Sequence, residues 1–275
     1  KKIIFTTKQQ SPNILCEIAR LRELTFRKVG EGTGKMLDLD RFDDVYYHLV
    51  VWDENELEIV GSYRIGLGNE LLNKLGANGF YTSILFNFSE EFIRNILPNS
   101  MELGRSFVQE KYWNTYALDY LWQGIGIYLA NNPGIKYLFG PVSISSTYPY
   151  HIVGMIIFYF NKWFSDSTAL ASSKIKFTIP ENQRTEYSSL FCASNPKDDY
   201  KVLKKMLNLF GYSVPILYKH YSDLCYDDGV RFLDFGVDPD FNNCFDGLIL
   251  IDISKIKEEK KLRYIKSKCV SEVLT

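Results

Sequence analysis

Met101-Glu102-Leu103-Gly104-Arg105-Ser106-Phe107-Val108 is an apolar run that carries an acid and a base in its interior. Ser100 to Val108 predicts a buried strand. A charge inside such a strand requires a partner, because an unpaired carboxylate or guanidinium in a core is costly. Three positions apart, Glu102 and Arg105 point to opposite faces of a regular strand. A bulge at Gly104 would turn them together.

Outward from this strand, the pattern alternates between sheet and helix. Upstream, Tyr46 to Trp52 and Glu58 to Ile65 flank Asp53-Glu54-Asn55-Glu56 and predict a β-hairpin. Before it, Ser11 to Val29 opens with Ser-Pro and spaces Ile14, Ile18, Leu21 and Leu24 as one helix face. The glycine-rich stretch Gly30 to Met36 then breaks the helix. It is not a phosphate loop: its glycine spacing is one short, Met36 stands where a hydroxyl is needed, and a helix precedes it. Downstream, a helix is expected from about Thr115 to Asn131, a strand from Tyr137 to Ile144, a helix after Pro149 and another over Asp198 to Phe210. Val230 to Val237 and Leu248 to Ile253 read as late strands. This order predicts an α/β fold, a mixed sheet covered by helices on both faces. No internal repeat or low-complexity linker interrupts it, so residues 1–255 read as one domain, and 256–275 as a charged C-terminal helix or tail.

Composition narrows the function. The 275 residues are 46% hydrophobic and 24% charged with a net charge of -1, which suits a globular core and argues against nucleic-acid binding. Five singly placed cysteines fit reduced thiols in a cytoplasmic compartment and form no metal-ligand spacing. No signal peptide is legible at Lys1-Lys2-Ile3-Ile4-Phe5, and the lack of an initiator Met fits an excised segment. Ile152 to Phe164, the most apolar stretch, is too short to span a bilayer and reads as a helix packed on the sheet rather than as the wall of an acyl tunnel.

Charges gather around the quoted strand. Asp38, Asp40, Asp43 and Asp44 precede the hairpin and Arg64 lies inside it. Composition leaves two readings open, a structural ion-pair network or an active site. His48, His151 and His220 are isolated, and Ser143, Ser145 and Ser146 sit in no nucleophile elbow.

Arg22 with Phe26, Asp40 with Asp43, Gly61-Ser62-Tyr63-Arg64 and Glu102-Leu103-Gly104-Arg105 resemble, in order, the signature of the acyl-homoserine-lactone synthases. Glu102 to Val108 with Tyr112 and Leu121-Trp122-Gln123-Gly124-Ile125 resembles more closely the haemolysin-like N-acyltransferases of ornithine-lipid and glycine-lipid synthesis. Val230 to Phe235 and Asp246-Gly247-Leu248 resemble versions adjoining lysophospholipid acyltransferase domains. The chain departs from the lactone synthases in lacking an aromatic residue from Val29 to Leu39 and in a longer stretch between Arg64 and Glu102, which argues against S-adenosylmethionine as acceptor.

The resemblance implies a GNAT fold whose splayed central strands admit the pantetheine arm of an acyl carrier protein, or of acyl-CoA, as co-substrate, with no tightly bound cofactor and no metal. It implies transfer of a fatty acyl group, 3-hydroxylated in this family, to an amino-acid amine. Glu102 would be the base, and Arg22, Phe26, Asp40, Asp43, Arg64 and Arg105 would bind the acceptor. Phe107, Gln109 and Tyr112 would hold the arm, its phosphate at the turn Glu110 to Thr115. Partners would be the carrier protein and, where adjoining, a lysophospholipid acyltransferase, at the cytoplasm or peripherally on the inner membrane. The competing readings are an acetyl-CoA-dependent small-molecule acetyltransferase and a non-catalytic GNAT-like binding domain.

Overall fold

The computed structural model describes residues 1–226 and 228–265. In chain order the elements are β1 (Lys2–Thr6), α1 (Pro12–Lys28), β2 (Tyr47–Asp53), β3 (Glu58–Leu67), α2 (Gly68–Leu75), α3 (Thr82–Leu85), β4 (Phe86–Phe88), β5 (Ser100–Val108) and α4 (Ala117–Asn131). Then follow β6 (Tyr137–Ile144), α5 (Tyr150–Phe164), β7 (Ala171–Ser173), α6 (Glu181–Leu190), α7 (Pro196–Leu209), α8 (Ile216–Ser222), β8 (Val230–Asp238) and β9 (Cys244–Asp252). The expected hairpin, central strands and principal helices are present. The last strand begins at Cys244, four residues earlier than the hydropathy pattern suggested, because Asp246 and Gly247 interrupt that pattern without leaving the sheet.

Seven strands form one sheet in the order β1-β2-β3-β5-β6-β9-β8, and β4 pairs with β7 in a small second sheet. All neighbours in the large sheet are antiparallel except β5 and β6. Alternation along each strand divides the residues between two faces. Leu103, Leu138 and Ile249 join the main core under α4 and α5, where Ile152, Ile156 and Phe160 are buried. Phe139, Leu248 and Leu250 pack on the opposite face with Leu71 of α2, and Phe107 packs there with Ile18 and Leu21 of α1. Helix α5 therefore packs on the sheet, and each large apolar side chain it buries contributes about 1.5–3 kcal/mol.

The parallel pair β5–β6 carries the main functional consequence. It is registered only over Ser100↔Tyr137, Met101↔Leu138 and Glu102↔Phe139, after which β6 continues on β9 alone. The strands part at Gly140, where a Cβ would stand 2.0 Å from the Leu103 carbonyl oxygen. From Leu103 onward, β5 thus has a partner on one side only.

Residues 258–265 form further helical turns, and Tyr264 is buried beside Trp122. The remainder of the expected C-terminal tail, 266–275, lies outside the described residues. Among the described residues no helix is long and apolar enough to cross a membrane.

Candidate active site

The bulge anticipated near Gly104 is present, and its left-handed residue is Arg105. Ser62 pairs with Phe107 and Arg64 with Gly104, so one residue of β3 opposes two of β5, and Arg105 has φ 46°. A left-handed non-glycine residue is strained by about 1–2 kcal/mol. The bulge brings Arg105 onto the face that holds Glu102, where Glu102 accepts from Tyr46 and Arg105 lies over Tyr81.

Four elements supply the charged side chains. Arg22, on the buried face of α1, donates to Asp43 through Nη1–Oδ1 at 2.9 Å and Nη2–Oδ2 at 3.0 Å, and also to the Asp38 carbonyl. Asp40 and Asp43 cap a short turn, Arg41–Asp44, reciprocally: Asp40 accepts from the Phe42 N–H at 2.8 Å and Asp43 from the Asp40 N–H at 2.9 Å. Arg64 donates to Asp40 at 2.7 Å and lies 3.5 Å from Asp43. Arg105 is paired with Asp38 at 3.3 Å and lies over the rings of Tyr81 and Phe241 at 4.8 and 4.4 Å. Phe26 meets Phe241 edge-on at 5.0 Å. Arg22, Phe26, Asp40, Asp43, Arg64 and Arg105 therefore converge, and three guanidiniums balance Asp38, Asp40 and Asp43.

The network is not fully satisfied internally. Arg64 Nη2 is buried and has no hydrogen-bond acceptor among the described residues, while Arg105 Nε and Arg22 Nε, each 3.3 Å from Asp38 Oδ2, are ion-paired without an aligned hydrogen bond. Such orphan donors are costly unless a ligand or water completes them. Burial acts to raise the Asp43 carboxyl, but the guanidiniums of Arg64 and Arg22 outweigh it and hold Asp43 well below the usual carboxylate range. His48, 3.8 Å from Asp43, is lowered to about 4 by burial and is neutral at pH 7.

Glu102 is 1% exposed and pairs with no arginine. Its oxygens accept from the Tyr46 hydroxyl and from the N–H (2.7 Å) and hydroxyl (2.5 Å) of Thr82. Burial raises its pKa, and the hydrogen bonds from Thr82 and Tyr46 partly offset the rise. Tyr46 and Thr82 carried no sequence signal, because they reach Glu102 across 56 and 20 residues of chain.

The expected arm-binding residues divide. Phe107 is buried in the apolar cluster under α1, on the strand whose other edge is open. Gln109 is engaged within the protein: its N–H donates to the Val60 carbonyl at 2.9 Å and its carbonyl accepts from the Tyr112 N–H at 2.8 Å, which leaves only the second lone pair of that carbonyl for an arm. The Tyr112 hydroxyl is likewise committed, to Asp53 at 2.8 Å and Glu58 at 2.7 Å, where it anchors the hairpin. In the turn that follows, the N–H groups of Tyr112, Trp113 and Thr115 are also used internally.

Two acids beside this network escaped the sequence reading. Glu31 lies in the glycine-rich connector, and Asp246 lies opposite Ser143 in the β6–β9 ladder. Asp246 did carry a signal, as a charge within the apolar strand from Cys244 to Asp252.

Residues 21–123 match the acetyltransferase (GNAT) domain family. The glycine N(alpha)-acyltransferase of Phocaeicola vulgatus is 36% identical over 97% of this chain and 84% of its own length. The L-ornithine N(alpha)-acyltransferase of Brucella abortus is 30% identical over 54% of this chain and 57% of its own. A solved CoA-dependent acyl-homoserine lactone synthase aligns with 99% of this chain and 97% of its own at 13% identity and a TM-score of 0.43. Relatedness along nearly the whole length, joined to the parted strands and the charged cluster beside them, makes the chain a member of the GNAT-type N(alpha)-acyltransferases.

Proposed function

We propose that this N-acyltransferase moves a fatty acyl group, 3-hydroxylated, from the pantetheine thioester of an acyl carrier protein to the α-amine of glycine. The observation that carries the reading is the open edge of β5 from Leu103 to Val108, lying next to the unsatisfied Nη2 of Arg64 and the Arg105 guanidinium. An extended arm pairs with such an edge as an added strand would. Arg64 and Arg105 then take the acceptor carboxylate, while Arg22, Phe26, Asp40 and Asp43 hold them in place.

In the transfer, the amine nitrogen attacks the thioester carbonyl, so that a C–N bond forms and the C–S bond breaks. Of the two protons that the ammonium loses, one passes to Glu102 through the Tyr46 or Thr82 hydroxyl and the other leaves with the sulfur as thiol. Similarity to a glycine N(alpha)-acyltransferase supports glycine as acceptor. Residues 1–255 act as one domain in this reading, at the cytoplasmic side and with peripheral membrane contact at most.

The test is to incubate the protein with carrier-protein and CoA thioesters of several chain lengths and a panel of amino acids, then weigh the products. N-acylglycine formed from the carrier thioester is expected. Acetylation from acetyl-CoA alone would favour a small-molecule acetyltransferase, and donor binding without any product would favour a binding domain.

A further inference from the structure

Glu31, Asp238 and Asp246 form a second group of acids on the same face, beyond the three aspartates already matched by arginines. The loop carrying Glu31 is fastened over the sheet: the Gly30 carbonyl accepts from the Ser145 hydroxyl at 3.2 Å and from the Asn242 side chain at 2.9 Å. Gly30 is required there, with φ 77° and Thr147 Cγ2 2.4 Å from where a Cβ would stand. Asp246 sits on β9 between Ser143 of β6 and Gly236 of β8. Asp238, on β8, accepts from the Tyr81 hydroxyl at 3.0 Å.

Asp246 is the unusual member. It is 5% exposed, and among the described residues its carboxylate has no hydrogen-bond or ion-pair partner, its oxygens keeping a narrow opening to solvent. Proteins rarely bury a carboxylate without a partner, because desolvation costs several kcal/mol. Its surroundings add to the cost: burial, then Asp238 and Glu31, push its pKa well above the usual range, with Arg105 opposing. Among the described residues no group of three His, Cys, Asp or Glu converges closely enough to hold a metal ion. An organic ammonium needs less convergent acceptors than a metal ion does.

We propose that Asp246 and Glu31 form a recruitment subsite for the cationic amine of the acceptor, binding its ammonium while Arg105 faces its carboxylate. The inference rests on the reading of the protein as an amino-acid N-acyltransferase. It assigns Asp246 of β9, on the segment whose Phe241 already supports Arg105, to acceptor selection. A zwitterion spans an acid and a guanidinium, whereas an amine without a carboxylate uses only the acids and a carboxylic acid only the arginine.

Calorimetric titration of the whole protein with glycine, glycinamide and acetate tests this without turnover. Glycine and glycinamide are expected to bind wild type and to lose at least tenfold in affinity in Asp246→Asn and Glu31→Gln, with acetate unaffected. In steady state both variants raise the KM for glycine at least tenfold and leave the donor KM and kcat within about threefold. Asp246→Asn also melts at the same or a higher temperature at pH 8, whereas a purely structural carboxylate would leave a less stable protein when removed. Should the variants bind glycinamide as wild type does, or wild type not bind it at all, the inference is overturned. Should wild type bind glycine and glycinamide through these acids but acylate no amine, the subsite stands and the transferase substrate assignment falls.

Discussion

Arg22 and Asp43 meet end to end, two N–H groups on two oxygens at 2.9 and 3.0 Å, and each side chain is 1% exposed. The same carboxylate also faces Arg64, so a single acid holds two buried guanidiniums.

Asp43→Asn leaves both arginines short of negative charge inside the protein. A loss of about 3–5 kcal/mol is expected by urea denaturation at pH 7, since breaking a buried pair strands its partner. Asp43 has a depressed folded pKa, so its contribution is present above the unfolded carboxylate pKa and is lost as pH falls below about 4. The variant's acid limb is correspondingly flatter.

Gly140→Ala places a methyl 2.0 Å from the Leu103 carbonyl, at the point where β5 and β6 part. Backbone at that point cannot yield as a flexible side chain would. Destabilisation of about 1–3 kcal/mol is expected, together with loss of the thermal shift produced by a carrier thioester. Retention of that shift would show that the arm binds elsewhere.

Glu102→Gln keeps the shape of the side chain but turns an NH2 toward one of the groups that now donate to it. If Glu102 receives the amine proton, kcat falls about 10²–10⁴-fold with the KM for donor little changed. Tyr46→Phe, which removes one donor and one route for the proton, is expected to lower kcat less and to raise the apparent acidic pKa of the rate profile, because the lost hydrogen bond favoured the ionised carboxylate.

Glu31 titrates in the working range. Burial lifts it to about 7, against the nearby Ser143 hydroxyl and Arg105 guanidinium; Asp246, Cys244 and Tyr218 also face it. The KM for glycine is expected to fall as pH rises through 7 and Glu31 ionises, and Glu31→Gln removes this dependence. Because its folded pKa is raised, the stability that Glu31 contributes is complete below about 4.5 and is lost as pH rises through 7. The variant's stability is then flatter than that of wild type over this interval, which thermal melts at pH 5 and 8 check.

Period and punctuation made most elements legible. The Ser-Pro start and apolar spacing located α1, and the charged turn between two β-branched runs located the hairpin. Short elements such as β1 and β7 were missed because they hold their places through neighbours: β1 by its register on β2, β7 by pairing with β4. In the candidate site, Arg64, Glu102 and Arg105 were visible as charges in apolar strands and Asp40 and Asp43 as an acidic cluster before the hairpin, whereas Arg22 came only from the family resemblance. Gln109 was less legible, because strand position alone does not say which way an amide points, and its N–H turns toward β3.

The linear chain determined which residues had to find partners, because a charge in an apolar strand or helix face is costly wherever the fold places it. Only the tertiary structure decided who those partners are. The bulge at Arg105 reverses one side chain, and the parting of β5 from β6 at Gly140 opens one strand edge. Both depend on backbone geometry between distant segments. The same packing leaves Asp246 buried without a cation among the described residues, a consequence of three strands meeting that no local pattern encodes.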